Sequence, residues 1–191
     1  MSKPLKNERI LLFLLAASMF THIMDFMIMM PMSTQLTRAL SISAQQFSLL
    51  VASYTITAGV TGFVSAFFID RYDRRKTLLF IYGGFAIGTL ACSFAPSYEI
   101  LLLTRSLAGG FGGILGALIL SIVSDVVPLE RRAKGIGAVM ASFGLASVIG
   151  VPFGLYIATA FSWQTPFLLL GIMALVIQAV MVFVVPPLTT H

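Results

Sequence analysis

An all-α polytopic membrane protein with six transmembrane helices is the fold class this sequence predicts, and three observations predict it. Of its 191 residues 58% are hydrophobic and only 10% are charged, against about 25% in soluble domains, a deficit that leaves too little polar surface to face water. Mean hydropathy is +0.99, and the apolar residues fall in long runs; a helix needs roughly 20 of them to cross about 30 Å of hydrocarbon, so the chain holds about six crossings with short connections. The runs are more than twice the ~10 residues of a membrane-barrel strand and lack its alternation of polar and apolar positions.

The first element follows Lys3, Lys6 and Arg9. This start resembles a signal peptide, but the apolar stretch continues to about Met32, too far for a cleaved segment, and reads as an uncleaved first span over about residues 10–30, ending near Pro31. A polar connection over 33–46, carrying Arg38, leads to a second span over about 47–69. The densest charge cluster, 70–76, separates it from a third over about 78–94, and so short a link puts both span ends at one membrane face. The turn Ala95-Pro96-Ser97-Tyr98-Glu99 reverses the chain into a fourth span over about 100–123. A charged loop with Pro128, 124–134, precedes a fifth over about 135–159, and a sixth over about 163–185 stops at Pro186-Pro187. Residues 1–191 thus read as a single six-helix domain.

Orientation follows from the basic residues. Of the 12 Lys and Arg, Lys3, Lys6, Arg9, Arg71, Arg74, Arg75, Lys76, Arg131, Arg132 and Lys134 fall on one side and only Arg38 in an opposite loop. The positive-inside rule then places both termini in the cytoplasm of a multi-pass protein of the plasma membrane (the inner membrane of a bacterium), with Tyr98 and Trp163 as aromatic anchors at the outer interface. The same rule explains the net charge of +5 and the pI near 9.7 better than binding to nucleic acid does. The lone Cys92 rules out an intrachain disulfide and reads as a packing residue. There is no phosphate-binding glycine loop and no H-E-x-x-H, and the only histidine beyond His22 is the terminal His191, which argues against an ATP-driven pump, a metalloenzyme or a rhomboid-like protease. No filter-like loop supports a channel. An enzyme, a metal and a cofactor are not expected; the lipid bilayer is the expected environment.

The segment Gly62 to Lys76, G-F-V-S-A-F-F-I-D-R-Y-D-R-R-K, resembles the cytoplasmic signature of the major facilitator superfamily, G-x-x-x-D-R-x-G-R-[RK]-[KR]. Ala66 stands at the first glycine and Asp73 at the second; the acidic and basic positions match. The resemblance implies a bundle of 3+3 inverted repeats, one half of a twelve-helix transporter. It further implies that Asp70, with Arg71, Arg74 and Arg75, gates the cytoplasmic side. Near a helix C-terminus Asp70 is disfavoured by the dipole and should seek Arg74, Arg75 or another helix's N-terminus. Asp125-x-x-Pro128-x-Glu130-Arg131-Arg132 resembles the superfamily's second charged cytoplasmic loop, its repeat counterpart. In the fourth span, Arg105-Ser106-Leu107-Ala108-Gly109 resembles the R-x-x-x-G element of proton-driven antiporters. Gly144-x5-Gly150-Val151-Pro152-Phe153-Gly154 resembles a worn form of the antiporter signature ending in G-P-x-x-G-G, with Val151 intervening and a single glycine at its end. Generic packing accounts for these glycines almost as well, as for Gly109 and Gly113 in the fourth span, because small residues let helix backbones approach.

An arginine inside a span costs roughly 2.5 kcal/mol or more at its centre, so Arg105 is expected to face a cavity or a partner. At 1.5 Å per residue Asp25 is about 22 Å above the basic end of its span and Arg105 about 10 Å below the opposite end of its own. In a core of about 30 Å these depths nearly coincide. An Asp25–Arg105 pair is therefore expected as the proton-coupling or substrate-binding centre. His22 shares a helix face with Asp25, either as a proton relay or substrate contact or as a structural histidine bonded to a neighbouring helix. Tyr54, Thr55, Thr57 and Gln178 are read as further cavity groups or, in preference, as residues that hydrogen-bond between helices. The expected function is secondary transport of small molecules, most of all proton-coupled efflux driven by the proton gradient through alternating access. Uptake of sugars or metabolites is the nearest alternative, and a non-transporting half that requires a partner is another. Only half a typical member is spanned, so a second six-helix half, or a second copy in a parallel dimer, is the expected partner beside the small-molecule substrate.

Overall fold

The structure, a computed structural model, describes residues 8–67 and 69–185, with Asp70 described in its backbone alone; Lys3, Lys6, Pro186 and Pro187 lie outside the described residues. Eight α-helices form in chain order: α1 (Glu8–Met27), α2 (Ser33–Ala39), α3 (Ala44–Ser65), α4 (Arg74–Ser93), α5 (Tyr98–Val126), α6 (Leu129–Leu145), α7 (Val151–Ala160) and α8 (Gln164–Val184). A π-helical turn, Ala146–Gly150, joins α6 to α7, so that six continuous rods are long and apolar enough to cross a membrane.

The helix ends differ from the apolar boundaries for identifiable reasons. The second span was expected to reach residue 69, but α3 stops at Ser65 and a 3₁₀ turn, Ile69–Arg71, carries the charge cluster. The third begins at Arg74, four residues earlier than its apolar run, because the Asp73 carboxylate caps α4 by accepting the Lys76 N–H at 2.8 Å. Ser97 caps α5 in the same way. The expected loop over 124–134 shrinks to Val127 and Pro128: α5 runs on to Val126 and α6 starts at Leu129. Charged residues continue a helix past the hydrocarbon, so hydropathy marks the membrane rather than the helix end. Likewise the connection over 33–46 contains α2, and Ser43 and Gln46 form a reciprocal capping box that starts α3.

Helix pairing repeats itself. The first three rods are α1, α3 and α4, and the last three are α5, α6–α7 and α8. Each pairing has its mirror: α3 packs on α5 as α6 packs on α1, and α4 packs on α5 as α8 packs on α1, while α4–α8 and α1–α5 pairs sit on the symmetry axis. This is the arrangement of a 3+3 repeat. Gly109 and Gly113 make the α3–α5 contact possible: a Cβ on Gly109 would stand 2.5 Å from the Tyr54 carbonyl oxygen, and one on Gly113 would strike the Ala58 backbone. Thr61 Oγ1 seals that seam by donating to the Gly110 carbonyl at 2.7 Å.

The interior divides into two apolar clusters. One, around Leu15, Phe85, Leu118 and Ile122, fills the end bearing Arg74 and Arg131; the other, around Ile28, Leu50, Leu101 and Phe167, fills the opposite end. Between them lies a thin polar layer. Trp163 was expected at the membrane interface, but it turns inward, 6% exposed, and meets Phe167 edge to face.

Candidate functional site

The polar layer and the aromatic faces against it come from five helices. Asp25 enters from α1 and Arg105 from α5, both in the gap between the apolar clusters and both with almost no exposure, 0% and 1%. Arg105 Nη1 donates to Asp25 Oδ2 at 2.9 Å and reaches the Asp25 carbonyl at 3.3 Å. The guanidinium is also held by two aromatic faces, its central carbon 4.4 Å from the Tyr54 ring of α3 and 5.7 Å from the Phe167 ring of α8. The Tyr54 hydroxyl lies 3.2 Å from His22 Nδ1, and the His22 ring stands edge-on to Phe85. Thr89 of α4 lies against the Asp25 carboxylate. A cavity of about 280 Å³, lined in part by His22, Tyr54, Gly112 and Phe143, opens beside this layer.

The layer has spare hydrogen-bonding capacity. Asp25 Oδ1, Thr89 Oγ1 and Arg105 Nε are buried without a hydrogen-bond partner among the described residues. Buried polar groups are nearly always satisfied, and groups that are not mark places where water, a proton or a ligand's polar atom is accommodated.

Sequence reasoning left two participants, Thr89 and Phe167, out of the site and gave a third, Tyr54, a smaller part. Tyr54 was expected either to line the cavity or to hydrogen-bond between helices, and it does both, bonding toward His22; its ring beneath Arg105 is the added feature. Thr89 follows Tyr82 and Phe85 on the buried face of α4, a helical spacing that marks it as inward-facing. Phe167 carries no signal beyond its apolarity. Thr55 and Thr57 bond to carbonyls of their own helix, not to another, and Gln178 donates to the Leu79 carbonyl of α4 at 2.8 Å.

The charged residues of the basic end tie the two repeats together. Arg74 pairs with Asp125 at 3.2 Å, Arg75 donates to the Val182 carbonyl at the end of α8 at 2.7 Å, and Arg131 pairs with Glu8 at 3.1 Å. Arg71 lies in the 3₁₀ turn. The side chain of Asp70 lies outside what the structure describes. Glu130 is exposed at the start of α6 and Arg132 is partly buried beside it; the acid that meets the first charged cluster is Asp125. Gly150 and Gly154 face α1, where a Cβ would come within 2.7 Å and 2.6 Å of the Met24 side chain, and Pro152 sits at the start of α7. No group of three His, Cys, Asp or Glu that could hold a metal occurs among the described residues.

Six apolar rods in a 3+3 repeat around a buried ion pair define a membrane-embedded helical half-bundle. The family profile of the Major Facilitator Superfamily matches residues 14–191. The chain belongs to that superfamily. It is 29% identical over 165 residues to the uncharacterized MFS-type transporter YhcA of Bacillus subtilis, covering 86% of this chain and 31% of that one. It is 32% identical over 125 residues to Multidrug resistance protein 3 of Bacillus subtilis, covering 65% and 24%. Among solved structures it superimposes, at a TM-score of 0.83 and 18% identity, on a bacterial homolog of the human lysosomal transporter Spinster in an inward-facing, unoccupied conformation, covering all of this chain and 45% of that one. The chain thus spans less than half the length of these relatives.

Proposed function

We propose that the protein is a secondary active transporter of small molecules that couples efflux to the proton gradient by alternating access. The observation that carries this reading is the Asp25–Arg105 pair, fully buried, with an acid oxygen left open and a cavity beside it. A proton arriving at Asp25 competes with Arg105 for the carboxylate, and the freed guanidinium is then available to a substrate or to another helix. His22, joined to Arg105 through Tyr54, stands on the route between the cavity and the pair. The contacts Arg74–Asp125 and Arg131–Glu8 tie the two three-helix units together at the basic end, on the cytoplasmic side by the positive-inside rule, so that this half rocks as one body against a second. The name of the multidrug resistance relative supports export of drug-like small molecules. The exposed faces of α3 and of α6–α7, with Phe63 71% and Val148 75% exposed, are where a second six-helix half or a second copy completes the cavity.

The test is transport in proteoliposomes under an imposed pH gradient, with a fluorescent lipophilic cation as probe. Movement that collapses when an ionophore dissipates the gradient supports proton coupling. Movement indifferent to the gradient, or driven only by the substrate's own gradient, favours a facilitator.

A further inference from the structure

A groove of about 410 Å³ lies between the end of α3, the 3₁₀ turn, α4 and α5, away from the polar layer. Its wall is graded. Tyr72 and Lys76 stand at the mouth, and Phe80, Ile81 and Ile114 line the deeper part. Lys76 to Phe80 is about one helical turn, on the order of 6 Å along the axis, so the gradient runs from charge into hydrocarbon within a single headgroup's depth. The groove is held open by packing. Gly84 lets the Phe111 ring lie against α4, where a Cβ would come within 2.5 Å of it, and Phe111 in turn meets Phe80 edge to face, so that Phe80 stands outward, 70% exposed.

The electrostatics of the mouth favour an anion. Arg74, Arg75 and Arg131 are engaged with Asp125, the Val182 carbonyl and Glu8, whereas the Lys76 ammonium meets no partner among the described residues. Asp73 also borders the groove, but its carboxylate is engaged in capping α4. Residues 70–76 carry four bases against two acids, and the positive end of the α4 dipole adds to them. A soluble anion would satisfy Lys76 and leave the apolar wall bare, whereas a membrane lipid covers both.

We propose that this groove binds an anionic glycerophospholipid, its phosphate on the Lys76 ammonium, its glycerol region beside Tyr72 and one acyl chain along Phe80, Ile81 and Ile114. The proposal depends on membrane residence with the basic end at a lipid surface; it does not depend on proton coupling and fails separately from it.

Native mass spectrometry of the intact chain, released from micelles doped with phosphatidylglycerol or phosphatidylcholine, tests it. Phosphatidylglycerol is expected to be retained preferentially. Lys76→Gln is expected to lower that retention about fivefold, the factor one basic residue contributes at an anionic surface, while Lys134→Gln, at the same end but outside the groove, leaves it unchanged. Ile114→Phe, which fills the groove, is expected to lower retention of either lipid, with unchanged emission from the single Trp163 showing that the fold is intact. Equal retention of the two lipids, equal effects of Lys76→Gln and Lys134→Gln, or no effect of Ile114→Phe would each overturn the proposal, the second pointing to a diffuse basic surface.

Discussion

Asp25 and Arg105 hold one another in the middle of a bundle otherwise packed with apolar side chains. Removing one partner strands a buried charge, at a cost of about 3–5 kcal/mol, whereas replacing both by apolar residues is often neutral. Asp25→Leu and Arg105→Leu are each expected to destabilise by that amount and the double variant to recover most of it, measured by unfolding titration; strictly additive losses would show that the two do not act as a unit. Tyr54 separates two contributions. Phenylalanine keeps the ring under the guanidinium and loses the bond to His22, while leucine loses both; a desolvated cation–π contact is worth about 2 kcal/mol, so Tyr54→Leu should cost more than Tyr54→Phe by roughly that much. Equal costs would show that the ring does not hold Arg105. The pair itself was legible in the sequence because charges inside apolar runs are rare and depth can be counted along a helix. Thr89 and Phe167 were not, and Tyr54 was legible only as one of several polar groups, since aromatic and hydroxyl residues are common in spans, and whether they meet depends on helix rotation fixed only by tertiary packing.

Among the elements, the α6–α7 rod shows how a local chemical fact becomes shape. Pro152 has no N–H for the Val148 carbonyl, and the chain widens there so that the Val151 N–H bonds Ala146 five residues back. This turn and the start of α7 lie against Met24, next to Asp25 in sequence, through Gly150 and Gly154. Pro152→Ala restores the missing donor and is expected to convert the turn to regular α-helix, seen as slower amide exchange over residues 146–152; unchanged exchange would mean that packing against α1, not proline, imposes the turn. At the α3–α5 seam, Gly113→Leu is expected to force the helices apart and lower thermal stability more than Gly116→Leu, since Gly116 has open space at its Cβ position. The existence and order of the six spans were legible from hydropathy. Their ends were not, because Asp73, Ser97 and Pro128 set helix starts outside the apolar runs, and neither capping nor the extension of α5 to Val126 leaves a hydropathy signal.

At the scale of the whole molecule, the mirrored pairing of the two three-helix units places Asp25 and Arg105 on equivalent helices, α1 and α5, which meet on the pseudo-symmetry axis. The charged contacts at the basic end join the same two units, Arg74 to Asp125 and Arg131 to Glu8. Orientation is tested directly by cysteine labelling in a Cys92→Ser background: a membrane-impermeant maleimide added outside intact cells is expected to modify a cysteine at Ser97 and not one at Tyr72, and the reverse pattern would invert the assignment.

The most direct measurement compares Asp25→Asn with the unaltered chain in two assays on the same proteoliposomes, pH-gradient-driven accumulation and substrate counterflow. If Asp25 is the coupling group, accumulation is lost while counterflow, which needs alternating access but no proton, survives. Accumulation that persists in Asp25→Asn would contradict the account and move coupling to another residue.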